Sequence, residues 1–286
     1  MGFGPHPMKS TVVLLPLAAL LLSSQQQKSI RPDTSTERVS GQPAKLILAL
    51  GDVSTAGDQH DSVSHALVTI ETLGLRAGLF DTLIRTDTQL VTKQAVSTLN
   101  GTLTFYRNLL DFDAVMLFTS GEPKLTTQQK MDLLSFVRDD GKGLVVVHSA
   151  ISSFGSWLAY KELIGATGIE PPGESENQDV LVLASDFPGM RLFTPSFRIR
   201  DRFFHISIEH PENTHILAKS ETGVPIAWTK RYGKGRVFVS QIGHDDAVWD
   251  RKDVQGMYLE AIRWVTHGSA PSKNEARSPA AARRRD

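Results

Sequence analysis

The chain has 286 residues, 40% of them hydrophobic, which is enough to bury one substantial core. Lys plus Arg and Asp plus Glu both total 31, so no net charge draws the protein toward nucleic acid or an anionic surface. It has no cysteine, which excludes disulfides, thiolate nucleophiles and Cys-ligated zinc.

Residues 1–24 read as a secretory signal: Lys9 precedes the apolar run 11–22, and Ser23 and Ser24 follow it. That run is shorter than the roughly 20 apolar residues that span a bilayer. The expectation is a secreted or periplasmic protein with no membrane span after cleavage, started at Met1 or Met8; an uncleaved anchor is the bland alternative. Residues 25–43 are polar and aperiodic, a linker, and residues 269–286 read as a disordered basic tail ending in Arg283, Arg284 and Arg285. One domain is left over 44–268.

Strand and helix signals alternate through its first half. Lys45–Leu50 is a buried-strand pattern ending at Gly51 and Asp52. Val63, Ala66, Leu67, Ile70 and Leu73 recur at helical spacing, with Gly74 placed to end the helix. Leu79 and Phe80 suggest a weaker second strand, and residues 114–118 a clearer third. Thr126 followed three residues later by Gln129 is a capping box, opening a helix that Gly141 stops. Gly143–Val147 fits a central parallel strand covered on both faces. This alternation predicts a doubly wound α/β sheet, mostly parallel, with helices on both faces.

The second half is richer in strand signals, at 180–184, 197–199, 206–208 and 216–218. A hairpin is expected across Gly233, Lys234 and Gly235. The last helix carries Val254, Met257, Tyr258, Ala261, Ile262 and Val265 on one face. The later strands are expected to extend the sheet as an antiparallel edge.

Ligands of doubly wound sheets bind beyond the carboxyl ends of the strands. Three histidines sit there: His60 in the loop after the first strand, His148 directly after Gly143–Val147, and His244 after the last strand. They could be structural, hydrogen-bonding the loops around the sheet edge. As neutral imidazoles, with Asp245 in support, they could bind a divalent metal such as zinc. Alternatively one imidazole could move a proton, and His148 is the candidate base. Ser149 follows a strand, but Val147-His148-Ser149-Ala150-Ile151 lacks the G-x-S-x-G elbow of a serine nucleophile. Asp52, Ser149, Trp228 and Trp249 are candidate substrate contacts; a cap for Asp52 and core packing for the two tryptophans are the blander readings.

Two blocks resemble the ThuA-like (trehalose-utilisation) family, which has the fold of class I glutamine amidotransferases. The first holds Phe112-Asp113-Ala114-Val115, Leu125-Thr126, Phe136-Val137-Arg138, Gly141-Lys142-Gly143 and His148-Ser149-Ala150. The second runs through Pro225-Ile226-Ala227-Trp228, Tyr232-Gly233-Lys234-Gly235-Arg236-Val237-Phe238 and Ile242-Gly243-His244. Two positions depart from the family's pattern: Phe187-Pro188 stands for a His-Pro pair, and Asp201-Arg202 for an Asp-Glu pair. The resemblance implies a flavodoxin-like sheet whose strand-to-helix turn carries a nucleophilic cysteine in the amidotransferases. His148 stands near that turn here, and without cysteine glutamine hydrolysis through a thioester is excluded. It also implies a small carbohydrate as partner, a trehalose-like disaccharide or its keto derivative, cleaved by hydrolysis or elimination. The competing expectation is a sugar-binding or interaction protein that kept the fold without the chemistry.

Overall fold

The three apolar runs that stand out in the sequence all form strands of one sheet in the computed structural model of the protein. It describes residues 1–2, 45–51, 60–97, 104–105, 107–169 and 173–266. The expected leader, linker and basic tail, and Asp52, lie outside the described residues. The strands and helices all belong to one compact unit, Val39–Asp286.

In chain order the strands are β1 (Lys45–Leu50), β2 (Phe80–Arg85), β3 (Val96–Ser97), β4 (Thr104–Phe105), β5 (Ala114–Leu117), β6 (Gly143–Val147), β7 (Ala166–Ile169), β8 (Glu176–Val182), β9 (Ser196–Asp201), β10 (His205–Ile208), β11 (Thr214–Ser220), β12 (Pro225–Tyr232) and β13 (Gly235–Ser240). The helices are α1 (Ser62–Ala77), α2 (Thr127–Arg138), α3 (Leu158–Ile164), α4 (Asp246–Trp249) and α5 (Lys252–Thr266). The large sheet has nine strands in the order β2-β1-β5-β6-β13-β12-β11-β8-β9. From β2 to β13 every pairing is parallel, the doubly wound, flavodoxin-like arrangement that the sequence predicts. From β13 to β9 every pairing is antiparallel, so the expected edge is as wide as the parallel half. β7 and β10 pair apart from it as a small ribbon, and 206–208 therefore does not extend the main sheet.

The inner parallel strands β1, β5, β6 and β13 are largely buried because both faces are covered, while the edge strand β2 is mostly half-buried. Ile47, Ala49, Met116, Val145 and Val147 point into a core shared with α1, α4 and α5; Leu48, Val115, Leu144 and Val146 point into one shared with α2 and α3. Every side chain on the expected inner face of α5 is buried, and each larger aliphatic one contributes about 1.5–3 kcal/mol relative to exposure. The capping box at Thr126 and Gln129 forms as the spacing predicts.

One punctuation signal misled. α1 runs past Gly74 to Ala77 and is capped by Gly78 at φ 63°. Gly74 is there for space, since a Cβ at that position would lie 2.3 Å from the Phe80 ring. The weak strand at 79–80 is the start of β2, whose polar residues Asp81, Thr82 and Arg85 hide it from a hydrophobic scan.

Candidate functional site: three converging histidines

β1, β5, β6 and β13 lie side by side and parallel, so their carboxyl ends open on the same sheet edge. The residues that follow them are drawn together. His60 precedes Asp61, the N-cap of α1; Phe118 follows β5; His148 follows β6 directly; His244 lies on the loop between β13 and α4.

The three imidazoles converge. His148 Nε2 lies 3.2 Å from His60 Nε2 and 3.2 Å from His244 Nδ1, and all three ligand atoms lie within 4.8 Å of one another. Their rings stand at 80°, 84° and 60° to each other, splayed like three ligands on one face of an ion. A tetrahedral ion with metal–nitrogen bonds of about 2.0–2.1 Å separates its ligand nitrogens by roughly 3.3 Å.

The tautomer of His148 is fixed by its other nitrogen. Nδ1 donates to the Gln241 carbonyl at 2.7 Å, and a carbonyl can only accept, so Nε2 carries the lone pair that faces the other two rings. One in-plane lone pair cannot serve two converging N–H groups well, whereas a cation satisfies three nitrogens at once. Burial first, and the adjacent His60 ring second, hold the His148 imidazole well below the ordinary histidine range, against the pull of the Gln241 carbonyl. It is neutral, as a ligand must be.

His148 also has an unusual backbone, with φ at 45°, as it turns from β6 into the short 3-10 segment His148–Ile151. This strand-end elbow sets the imidazole at the floor of the site, wholly buried, while the His244 side chain keeps 22% of its surface open. Phe204 lies against His148 at 5.0 Å and Phe118 against His60 at 6.1 Å between ring centroids, so the walls are apolar.

Two residues hold this arrangement: Asp201, which the sequence marks as a diffuse acidic candidate beside the departure at Arg202, and Gln241, which it does not single out. Asp201 is fully buried at the end of β9, and its carboxylate accepts the N–H groups of Gly243 at 2.8 Å, His244 at 3.0 Å and Arg202 at 2.8 Å. Burial pushes it up to about 7 against the pull of those three donors. A readable signal existed: in Phe197-Arg198-Ile199-Arg200-Asp201 the aspartate falls on the core-facing positions of the alternation. Gln241 is the second: its backbone carbonyl takes the His148 proton, and its side-chain oxygen accepts from Phe204 N at 2.5 Å.

The other expected residues are placed differently. Asp245 accepts from Ser175 Oγ at 2.7 Å and Arg200 Nη1 at 2.6 Å, and its Oδ1 is 3.9 Å from His244 Nε2, beyond hydrogen-bond reach. Trp228 is wholly buried on the other face of the sheet and donates to the Ile164 carbonyl. Trp249 is also wholly buried, stacked on Tyr258 and donating to the Gly243 carbonyl. Neither ring is open to a sugar; packing claims both. Ser149 is buried, and its hydroxyl finds no hydrogen-bond partner among the described residues. Phe187 stacks on Phe238 within the α5-side core, so that departure from the family pattern lies in packing and takes nothing from the three histidines.

With this geometry established, comparison by sequence is decisive: the profile of the trehalose-utilisation family ThuA matches residues 53–265. The chain belongs to the ThuA family. Among solved structures, a putative ThuA-like protein from Bacteroides uniformis superposes with a TM-score of 0.63 at 15% identity, over 79% of this chain and 93% of that one. A second, from Parabacteroides merdae, gives 0.61 at 18%, over 81% and 93%. A cytoplasmic protein from Salmonella typhimurium gives 0.53 at 13%, over 78% and 100%. These likenesses establish the ThuA fold. No curated protein matches the sequence.

Proposed function

We propose that this ThuA protein is a metal-dependent enzyme of carbohydrate utilisation, acting outside the cytoplasm on trehalose-like disaccharides or their keto derivatives. The observation that carries the reading is the convergence of His60 Nε2, His148 Nε2 and His244 Nδ1, with the His148 tautomer set by Gln241. An all-nitrogen donor set suits zinc and its neighbours better than magnesium or calcium. Three neutral ligands would leave the full charge of a divalent ion in place, which would lower the pKa of a bound water to about 7 and polarise a carbonyl.

The chain's own residues supply the rest. His148 anchors from below, while His60 and His244, both partly open, frame the side a substrate enters. Phe118 and Phe204 keep water from the back of the site. With His148 neutral and deep, a ligand role suits it better than proton transfer. The substrate class rests on the family, and the location on the leader-like residues 1–24. The sugar-binding alternative drew on Phe187 and Arg202; Phe187 lies in the core, while Arg202 lines a cavity next to Phe204.

The test is elemental mass spectrometry on chain purified without added metal or chelator. About one zinc or similar ion per chain, lost in the His60, His148 and His244 triple alanine variant, supports the reading. Metal-free wild-type chain that also fails to take up zinc sinks it. N-terminal sequencing of the protein recovered from the periplasm or medium tests the leader.

A further inference from the structure

Beside the histidines lies a cavity of about 230 Å³ on the antiparallel side. Its walls come from three stretches: Glu174 to Gln178 leading into β8, Arg202 to His205 between β9 and β10, and the turn from β11 to β12. Sites for drug-sized molecules hold roughly 300–1,000 Å³, so this one suits a single ring. Its polar chemistry is mixed: Glu174 and Glu176 accept hydrogen bonds, Arg202 donates, and Gln178 does both, while Phe203 gives an apolar face. Two carboxylates against one guanidinium disfavour an anion. A neutral polyol, whose every hydroxyl donates and accepts, matches this lining.

The cavity is tied to the histidines by three separate links. Ser175, between Glu174 and Glu176, donates to Asp245, the neighbour of His244. Arg202 N donates to the same Asp201 carboxylate that holds His244 N. Phe204 N donates to Gln241, whose carbonyl orients His148. The Phe204 ring itself is shared, lining the cavity and lying against His148.

We infer that this cavity is a subsite for one neutral sugar ring, the part of the substrate remote from the reacting bond. The inference rests on the histidines being the reaction centre, and its test keeps the two apart.

Trehalose, glucose and trehalose 6-phosphate are titrated calorimetrically into the full chain, with zinc content measured on the same samples. The variants are Glu176→Ala and Gln178→Ala, at an exposed and a half-buried position whose loss leaves the core intact. Neutral sugars are expected to bind the wild type, and each variant to weaken binding at least tenfold with zinc unchanged. Sugar binding lost in the variants of a chain that takes no zinc supports the cavity and overturns the reading of the histidines. Variants that bind as the wild type does, no neutral sugar bound by the wild type, or tighter binding of the phosphorylated sugar each overturn the subsite.

Discussion

The carboxylate of Asp201 receives the backbone N–H of His244 at 3.0 Å and that of Gly243 at 2.8 Å, from a strand at the far edge of the sheet. It therefore sets the position of His244 Nδ1, one nitrogen of the proposed metal site, without touching it. Asn at this position keeps the shape but turns an N–H toward N–H groups. Asp201→Asn is expected to weaken zinc about 10–100-fold, the usual cost of a supporting residue, while the circular-dichroism spectrum is unchanged. Zinc affinity equal to wild type, measured by competition with a chromophoric chelator, would remove Asp201 from that role.

The two buried tryptophans separate fold from site. Trp249 donates to the Gly243 carbonyl at 3.2 Å and Trp228 to the Ile164 carbonyl at 2.9 Å. Trp228→Phe orphans the Ile164 carbonyl and loses packing, at a cost of about 1–3 kcal/mol. The Gly243 carbonyl keeps a second donor, Ser62 Oγ at 2.9 Å, so Trp249→Phe costs less. Denaturant titrations should show the larger loss for Trp228→Phe. Zinc affinity should fall for Trp249→Phe alone, because only Gly243 adjoins His244 of the proposed metal site.

Gly74 fixes how closely α1 approaches β2. Gly74→Ala brings a Cβ within 2.3 Å of the Phe80 ring and 2.6 Å of its backbone oxygen. Backbone cannot swing aside as a side chain does, so the expected loss is about 1–3 kcal/mol, despite alanine's better helix propensity. A rise in melting temperature would refute the packing role.

Asp113 supplies a pH dependence remote from the histidines. Burial alone would raise its pKa; the Leu46 N–H, then Lys142 and Lys45, outweigh it and hold the carboxyl below the ordinary range. A depressed carboxylate stabilises the fold above its unfolded value of about 3.9. That contribution is lost as pH falls through the folded value. Wild type should exceed Asp113→Asn by about 1 kcal/mol at pH 7, and the gap should close as unfolding is repeated below about pH 4. A gap that is constant with pH contradicts the assignment.

Much of the fold was legible in residue order. The apolar runs at Lys45–Leu50 and Gly143–Val147 are buried on both faces, which is why they carry an unbroken hydrophobic signal. His148 could be placed at a strand end because the strand before it was unmistakable. β8 and β9 were found short because Asn177, Arg198 and Arg200 interrupt their pattern on a half-solvated face. The roles of Asp201 and Gln241 were illegible for a different reason. Their work is done through partners 43 and 93 residues away in the chain, His244 and His148, and spacing carries no trace of such pairings.

His244 differs from its two companions in presenting Nδ1 rather than Nε2. Nδ1 lies one bond from Cγ, so an ion held there sits close to the loop that Asp201 fixes, and the backbone rather than side-chain rotation governs its location. A carboxylate oxygen of aspartate stands at nearly the same remove from its own main chain. Position 244 is thus the one member of the trio where a carboxylate can be exchanged for an imidazole with the loop in place. The result would be two histidines and one carboxylate, the donor set that favours ferrous iron with open coordination positions. In the proposed site, exchanging that single codon is therefore expected to move metal preference from zinc toward ferrous iron.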